Sequence, residues 1–309
     1  MRILVTGGAG FIGSHVVDAY VDAGHQVAVV DNLSTGERKN LNAAATFFEL
    51  DLRDPSLHEV LTEFRPNVVN HHAAQANVPA SVADPVKDAS INVLGSLNLL
   101  RSSADAGVEK FIYASSGGAM YGEPHAGSIP LSEDTPARPI SPYGASKFAV
   151  EAWLGVFHRT FGLQFTVLRY ANVYGPRQGV RDEGAAVAVF ATRMVDSRSI
   201  TLDGTGAQTR DFIYVGDCAT ANLAALEHGG GDAFNIATGT EVSIRELFGK
   251  LAILAEYPAP PNFGPARVGD ISRIALDPGR ARSGLNWEAA TTLDDGLRAT
   301  YEYFHDRSN

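Results

Sequence analysis

The sequence predicts a doubly wound α/β fold, a parallel Rossmann sheet with helices on both faces and a smaller C-terminal α/β lobe. Three observations point there. Short β-rich runs alternate with helical stretches through the first half of the chain. A glycine-rich turn stands between the first strand and the first helix. The rhythm then breaks near Tyr174. Strand–helix alternation implies parallel strands joined by crossovers.

The strand candidates in order are Ile3-Leu4-Val5, Val27-Ala28-Val29-Val30, Thr46-Phe47-Phe48, Val68-Val69, Phe111-Ile112-Tyr113 and Phe165-Thr166-Val167-Leu168. They are almost continuously apolar, as strands covered on both faces must be. Helical spacing fills the intervals at 16–23, 57–64, 86–106 and 147–161. After Tyr174 glycine and proline become frequent, at Gly175-Pro176, Pro258-Ala259-Pro260-Pro261 and Gly264-Pro265, with helical spacing kept at 187–194, 218–226 and 244–254. The predicted division is a sheet domain over 1–173, which also receives a strand and helix from about 210–237, and a lobe over 174–309.

Composition narrows the function classes. The chain has 309 residues, 45% of them hydrophobic and 19% charged, enough for a sizeable core. A net charge of -10 argues against nucleic acid or an anionic membrane as the main partner. The single cysteine, Cys218, rules out a disulfide within the chain and speaks against a cysteine-based zinc site. The opening apolar run is too short for a signal peptide, and no 18-residue apolar stretch follows, so a cytoplasmic location is expected. The histidines, His71-His72 among them, lack metal-ligand spacing, and no metal is expected.

Thr6-Gly7-Gly8-Ala9-Gly10-Phe11-Ile12-Gly13 follows the first strand directly. Gly8, Gly10 and Gly13 satisfy GxGxxG, and Gly7, Gly10 and Gly13 satisfy GxxGxxG. Glycine allows a tight turn, close approach of backbone to a pyrophosphate, and close helix–strand packing, while the following helix offers unpaired N–H groups to the anion. Asp31 ends the second strand 18 residues after Gly13. A carboxylate there accepts from the adenosine ribose hydroxyls and repels a 2′-phosphate, which favours NAD over NADP. Asp51 and Leu52 end the third strand where an adenine would lie. Each reads equally well as a strand-end cap and a core leucine.

Tyr143-Gly-Ala-Ser-Lys147 follows Ser141-Pro142, a helix-start signature. Positions i and i+4 share one helix face. A phenol of pKa about 10 is a poor base at neutral pH, and a neighbouring ammonium favours its phenolate. The pair can then remove a hydroxyl proton as a hydride departs. Ser115-Ser116, at the end of a sheet strand, lies 27 residues before Tyr143.

On these residues the chain resembles the extended short-chain dehydrogenase/reductase family, which contains the NAD-dependent epimerases and dehydratases, and within it the UDP-glucose 4-epimerases. Three more stretches carry the resemblance: Arg169 to Arg177, Gly204 to Phe212, and Arg267-Val268-Gly269-Asp270. It implies that Tyr143 is the base, that Lys147 holds the nicotinamide ribose and tunes Tyr143, and that a serine hydroxyl shares the sugar hydrogen bond. The family places that hydroxyl four residues before a Tyr-Gly pair. Here Ser115-Ser116-Gly117-Gly118-Ala119-Met120 carries one residue more, so Ser116 is chosen and Ser115 is the alternative. The glycine pair lacks the Asp-Glu used by sugar-nucleotide 4,6-dehydratases, which argues against dehydration.

The resemblance further implies NAD contacts at Gly7, Gly10, Phe11, Ile12, Gly13, Asp31, Asn32, Asp51, Leu52, Ala73, Ala74, Gln75, Asn92, Ser115, Tyr143, Lys147 and Tyr170. It implies UDP-sugar contacts at Ser116, Tyr143, Asn172, Arg210, Arg267 and Asp270, with Ile274 gating the sugar's C2 substituent. A homodimer is also implied. The activity it suggests is inversion at C4 of a UDP-hexose through a transient 4-keto sugar. UDP-glucuronate or UDP-N-acetylhexosamine epimerisation, and a non-catalytic NAD-binding regulator, stay open.

Overall fold

The computed structural model describes residues 1–125, 127–180, 184–266 and 271–307. The first half runs β1 (Arg2–Thr6), α1 (Phe11–Asp22), β2 (Gln26–Asp31), β3 (Thr46–Glu49), α2 (Leu57–Phe64), β4 (Val68–His71), α3 (Val78–Ala83), α4 (Pro85–Ala89), α5 (Gly95–Asp105), β5 (Lys110–Ser116), α6 (Gly117–Met120), α7 (Pro142–Phe161) and β6 (Gln164–Tyr170). The second half adds β7 (Asn172–Tyr174), α8 (Ala186–Val195), β8 (Thr201–Asp203), β9 (Thr209–Arg210), β10 (Phe212–Tyr214), α9 (Val215–Glu227), β11 (Asp232–Ile236), β12 (Val242–Ser243), α10 (Ile244–Leu254), β13 (Asn262–Gly264), α11 (Gly279–Gly284) and α12 (Leu293–Asp306).

Seven strands form one parallel sheet in the order β3-β2-β1-β4-β5-β6-β11. The doubly wound Rossmann fold expected from the sequence is therefore present. Alternation along the strands feeds two cores. Val5, Val29 and Ile112 pack on the face covered by α1 and α9, whereas Leu4, Val30, Val69 and Phe111 pack on the face covered by α2, α5 and α7. Every one of these residues is essentially inaccessible to water. The strand order reverses between β1 and β4, and the crevice outside their carboxyl ends is where such sheets bind ligands.

Two elements differ from the sequence expectation. The single helix expected over 86–106 is interrupted by a π-helical turn at Ser90–Leu94, between α4 and α5. This wider winding inserts one residue into the helical ladder and reorients the side chains around it. The C-terminal helix α12, which packs on α8, has a polar average that hides its one apolar face. A third core, from Phe190, Leu202, Phe212, Leu247 and Leu297, joins α8, α10 and α12 outside the sheet.

Candidate active site

The glycine turn is held by backbone bonds and by two side chains, Asp31 and Asn40, that bond Ala9. Gly7 N–H donates to Val30 O at 2.8 Å, and Gly10 N–H returns to Gly7 O at 3.0 Å. Gly7 has φ +71°, and a Cβ there would lie 2.6 Å from Ala73 N. A Cβ on Gly13 would lie 2.2 Å from Gly7 O. Both positions therefore exclude a side chain. The helix that follows starts at Phe11 with no side-chain cap, so the N–H groups of Phe11, Ile12 and Gly13 face the turn as an anion site.

Asp31 ends β2 at 8% exposure and is held by Ala9 N–H at 3.1 Å and Leu33 N–H at 2.8 Å. One bond to each oxygen leaves lone pairs for ligand hydroxyls. Burial pushes this carboxyl up, against the pull of the two amides. Asp51 differs. Its oxygens accept from Arg53 N, Arg53 Nε, an Arg53 terminal nitrogen and Asn32 Nδ2 at 2.8 to 2.9 Å, and the bound guanidinium holds it well below the usual carboxylate range. Those four donors fill its acceptor sites. Leu52 is 8% exposed and belongs to the core under α2 and α5.

A polar chain runs behind the ends of β1 and β4. Ala73 N–H donates to Thr6 Oγ1 at 3.3 Å, Thr6 Oγ1 lies 2.7 Å from His71 Nδ1, and His71 Nε2 lies 2.8 Å from Ser96 Oγ. Ser96 donates to Asn92 O at 2.5 Å. Those partners fix His71 as neutral with its proton on Nε2, and burial holds it well below the ordinary imidazole value. Asn92, inside the π-helical turn, accepts from Gln75 N–H at 2.8 Å and donates to Gln75 O at 2.9 Å. Ala74 lies between these two anchored residues at the rim of the same crevice. Asn92 thus shapes the loop at 73–75 rather than standing apart from it.

Helix α7 carries the Tyr–Lys pair because its start is well defined. Ser141 caps it through Gly144 N–H at 3.1 Å, Pro142 occupies the first turn, and Gly162 with φ +73° ends it. A Cβ on Gly144 would lie 2.4 Å from Ala119 O, so the glycine beside Tyr143 lets α7 press against α6. Lys147 is 4% exposed and donates to Ala114 O at 2.7 Å. Its ammonium lies 4.9 Å from the Tyr113 ring centre and 5.9 Å from that of Tyr143. Burial pushes Lys147 down to about 8, while Asp88 and Glu151 pull the other way.

The two serines are separated by their partners. Ser115 is 3% exposed and donates to Glu151 at 2.6 Å, and Glu151 is paired with Arg169 at 2.7 Å. Ser116 stands at the start of α6 without a side-chain cap bond and, among the described residues, its hydroxyl has no hydrogen-bond partner. Tyr170, at the end of β6, is 4% exposed, accepts from Asn222 at 2.7 Å and stacks on His72. Its phenol is used inside the core, which leaves only its backbone for a ligand.

Asn172 begins β7 beside Gly118, whose Cβ would lie 3.6 Å from Asn172 Oδ1. Arg210 lies on β9, paired with Val242, and donates to Thr209 O at 2.8 Å. The adjacent Asp211 is 1% exposed and collects Thr238 N–H, Thr238 Oγ1, Gly239 N–H and Leu276 N–H. Ile274 is 2% exposed and packs with Tyr121, Leu131 and Leu276, so it does not present the expected gate to an open cavity. Arg267 and Asp270 lie outside the described residues.

Sequence reasoning passed over Asp88, Ser146, Glu151 and Asp211. Asp88 and Asn92 are four apart, as are Lys147 and Glu151, and that helical spacing was the available signal. Asp211 gave none, since its partners come from 27 and 65 residues away.

The residues present fit a dinucleotide: a cradle at Gly7 and Gly13 that no Cβ can enter, an uncapped helix start, and a carboxylate with lone pairs to spare at the end of β2. Comparison with known proteins agrees. The family model described as "NAD dependent epimerase/dehydratase family" matches residues 3–237. The UDP-glucose 4-epimerase of Mycolicibacterium smegmatis is 42% identical over 314 residues, covering 100% of both chains. The structure of UDP-glucose 4-epimerase from Thermotoga maritima with UDP-glucose superposes with a TM-score of 0.98 at 45% identity, covering 100% of both chains. That of the Thermus thermophilus enzyme in complex with NAD gives 0.94 at 43%, covering 98% of this chain and 99% of the other. This chain belongs to the NAD-dependent epimerase/dehydratase family.

Proposed function

We propose that the protein inverts C4 of a UDP-hexose, with UDP-glucose and UDP-galactose as the favoured pair. The observation that supports this reading is that α7, which carries Tyr143 and Lys147, packs on α6, which follows the unpartnered Ser116, and bonds the strand before it through Lys147 to Ala114 O. A pure binding protein has no use for a buried lysine held beside a tyrosine. NAD, when bound, supplies a reversible hydride acceptor at the sugar C4. Tyr143 takes the proton from O4 and later returns it. Lys147 favours the Tyr143 phenolate by its charge and is fixed by Ala114 O. Ser116 donates to O4 and to the transient ketone, Asn172, Arg210 and Arg267 grip the nucleotide diphosphate, and Asp270 holds the nucleotide side, while the keto sugar turns over. Ile274, buried against Tyr121, Leu131 and Leu276, has no gate role in this proposal.

The proposed division sets 1–173 with α9 and β11 as the cofactor domain and the remainder of 174–309 as the nucleotide-sugar lobe. Packing of α9 on α1 and pairing of β11 with β6 support it. Two copies of the chain are proposed to pair through α7 and the α4–α5 segment, where Val86, Leu94, Phe148, Trp153 and Val156 are exposed at 78, 60, 43, 41 and 37%. A cytoplasmic location is proposed. Among the described residues no helix is long and apolar enough to cross a membrane.

The test is turnover of UDP-glucose, UDP-glucuronate and UDP-N-acetylglucosamine, followed by NMR at the C4 centre. UDP-galactose is the expected main product. No turnover of any of the three by protein that retains NAD would favour the regulatory reading.

A further inference from the structure

The two carboxylates acting on Lys147 differ in how their charge is met. Glu151 is neutralised by Arg169 at 2.7 Å and also accepts from Ser115. Asp88, on α4, is 1% exposed and accepts from Ser146 Oγ at 2.6 Å, Gln75 Nε2 at 3.0 Å and Asn92 Nδ2 at 3.0 Å. All three donors are neutral, and among the described residues Asp88 forms no ion pair. Burying a carboxylate this way is costly unless a nearby cation offsets it. The one that does is Lys147, next in sequence to Ser146.

We propose that Asp88 is a positioning residue for proton transfer: its fixed negative charge keeps the Lys147 ammonium protonated in a dry site, and its bond to Ser146 sets α7 against α4. The inference rests on the role of Lys147 given above. The groups facing Lys147 are Asp88 from α4, Tyr113 from β5, His71 from the end of β4 and His72 just after it, and Tyr143 and Glu151 from α7 itself. Burial keeps both histidines and Tyr113 neutral near pH 7. Glu151 already has its own cation. Asp88 is therefore the uncompensated negative charge in this set.

The test uses the NAD-loaded enzyme with Asp88→Asn, Ser146→Ala and Lys147→Met, each assayed for bound NAD and for epimerisation rate from about pH 6.5 to 10. Asp88→Asn should keep NAD and shift the alkaline limb of the rate profile to lower pH by about one unit, as loss of a nearby opposite charge requires. Ser146→Ala keeps the charge and should leave that limb in place while the rate falls a few-fold. An Asp88→Asn profile that is unchanged, or lowered equally at every pH, overturns the proposal. Parental activity in Lys147→Met would instead overturn the role of Lys147 itself. Should Asp88→Asn fail to fold, NMR titration of 13C-labelled lysine in the parent decides: Lys147 should still be charged at about pH 7.5, and a neutral Lys147 at pH 7 overturns the proposal.

Discussion

The proposed cofactor side and the proposed nucleotide-sugar side of the crevice are built by opposite means. On the cofactor side, parallel strands register the glycine turn, Asp31 and Ser116, α7 brings Lys147 onto Ala114 O, and a chain of buried hydrogen bonds from Thr6 through His71 and Ser96 to Asn92 runs behind them. On the other side, β9 and β12 have two residues each, and the exposed Ser272 and Arg273 are held by two side-chain clasps and one backbone bond. Glu123 accepts from Ser272 N–H at 2.9 Å, Thr209 N–H donates to Ser272 O at 3.0 Å, and Arg273 clasps Glu241 at 2.5 Å. A group that stays bound through many turnovers is served by the first design. A substrate that must enter, turn over and leave is served by the second.

That contrast can be broken at either end. Gly13→Ala should have the largest effect on the rigid side, because the new Cβ meets Gly7 O at 2.2 Å and both partners are backbone. Overpacking costs about 1–3 kcal/mol where side chains can yield, so NAD binding should weaken by about 100-fold or more here, read by calorimetry on cofactor-free protein. Arg210→Ala should weaken UDP binding by about 1.5–3 kcal/mol with bound NAD unchanged. Parental UDP affinity would remove Arg210 from the diphosphate grip. Glu241→Ala removes the clasp with the exposed Arg273 and a bond from Thr209 Oγ1, and surface pairs of this kind contribute about 0.5–1 kcal/mol. It should raise KM for the nucleotide sugar about two- to fivefold with kcat little changed. A fall in kcat at constant KM would show that the clasp serves the chemistry instead.

The sequence was most informative where function is local. The glycine turn, Asp31 at the end of β2 and the Tyr143–Lys147 spacing each lie within one element or one junction, so they could be read directly. The Ser115–Ser116 choice could not, because it depends on Glu151 reaching back from α7 to Ser115. Tyr170 and Asp51 were legible as positions but not as contacts. The Tyr170 phenol is taken by Asn222, far away in the chain, which no one-dimensional pattern announces, whereas the Asp51 carboxylate is taken by Arg53, a local pairing that was open to reading. The π-helical turn was invisible for the same reason: its extra residue follows from how Asn92 bonds to Gln75 and Asp88.

The smallest expected effect concerns pH and stability. His72 is buried, and its pKa is lowered from 6.5 to about 3. The unfolded chain then binds a proton that the folded chain does not, so stability falls as pH drops through about 6.5 and continues falling toward 3. Lys147, lowered from 10.5 to about 8, acts in the alkaline range: between those values the unfolded state binds more protons, and its contribution to stability rises with pH. Activity should therefore decline above about pH 8 without a loss of stability from this group. His72→Phe, which keeps a ring against Tyr170, should flatten the acid side of a plot of melting temperature against pH, and an unchanged slope would exclude His72 as its source.

The most direct test of the mechanism is Tyr143→Phe, with bound NAD and epimerisation rate measured on the same preparation. The substitution keeps the ring, the helix and the packing but deletes the group placed to take the O4 proton. NAD should remain bound, since the glycine turn and Lys147 are untouched, and turnover should slow by about 10²–10⁴-fold. A variant that holds full NAD and epimerises at close to the parental rate would contradict Tyr143 as the base.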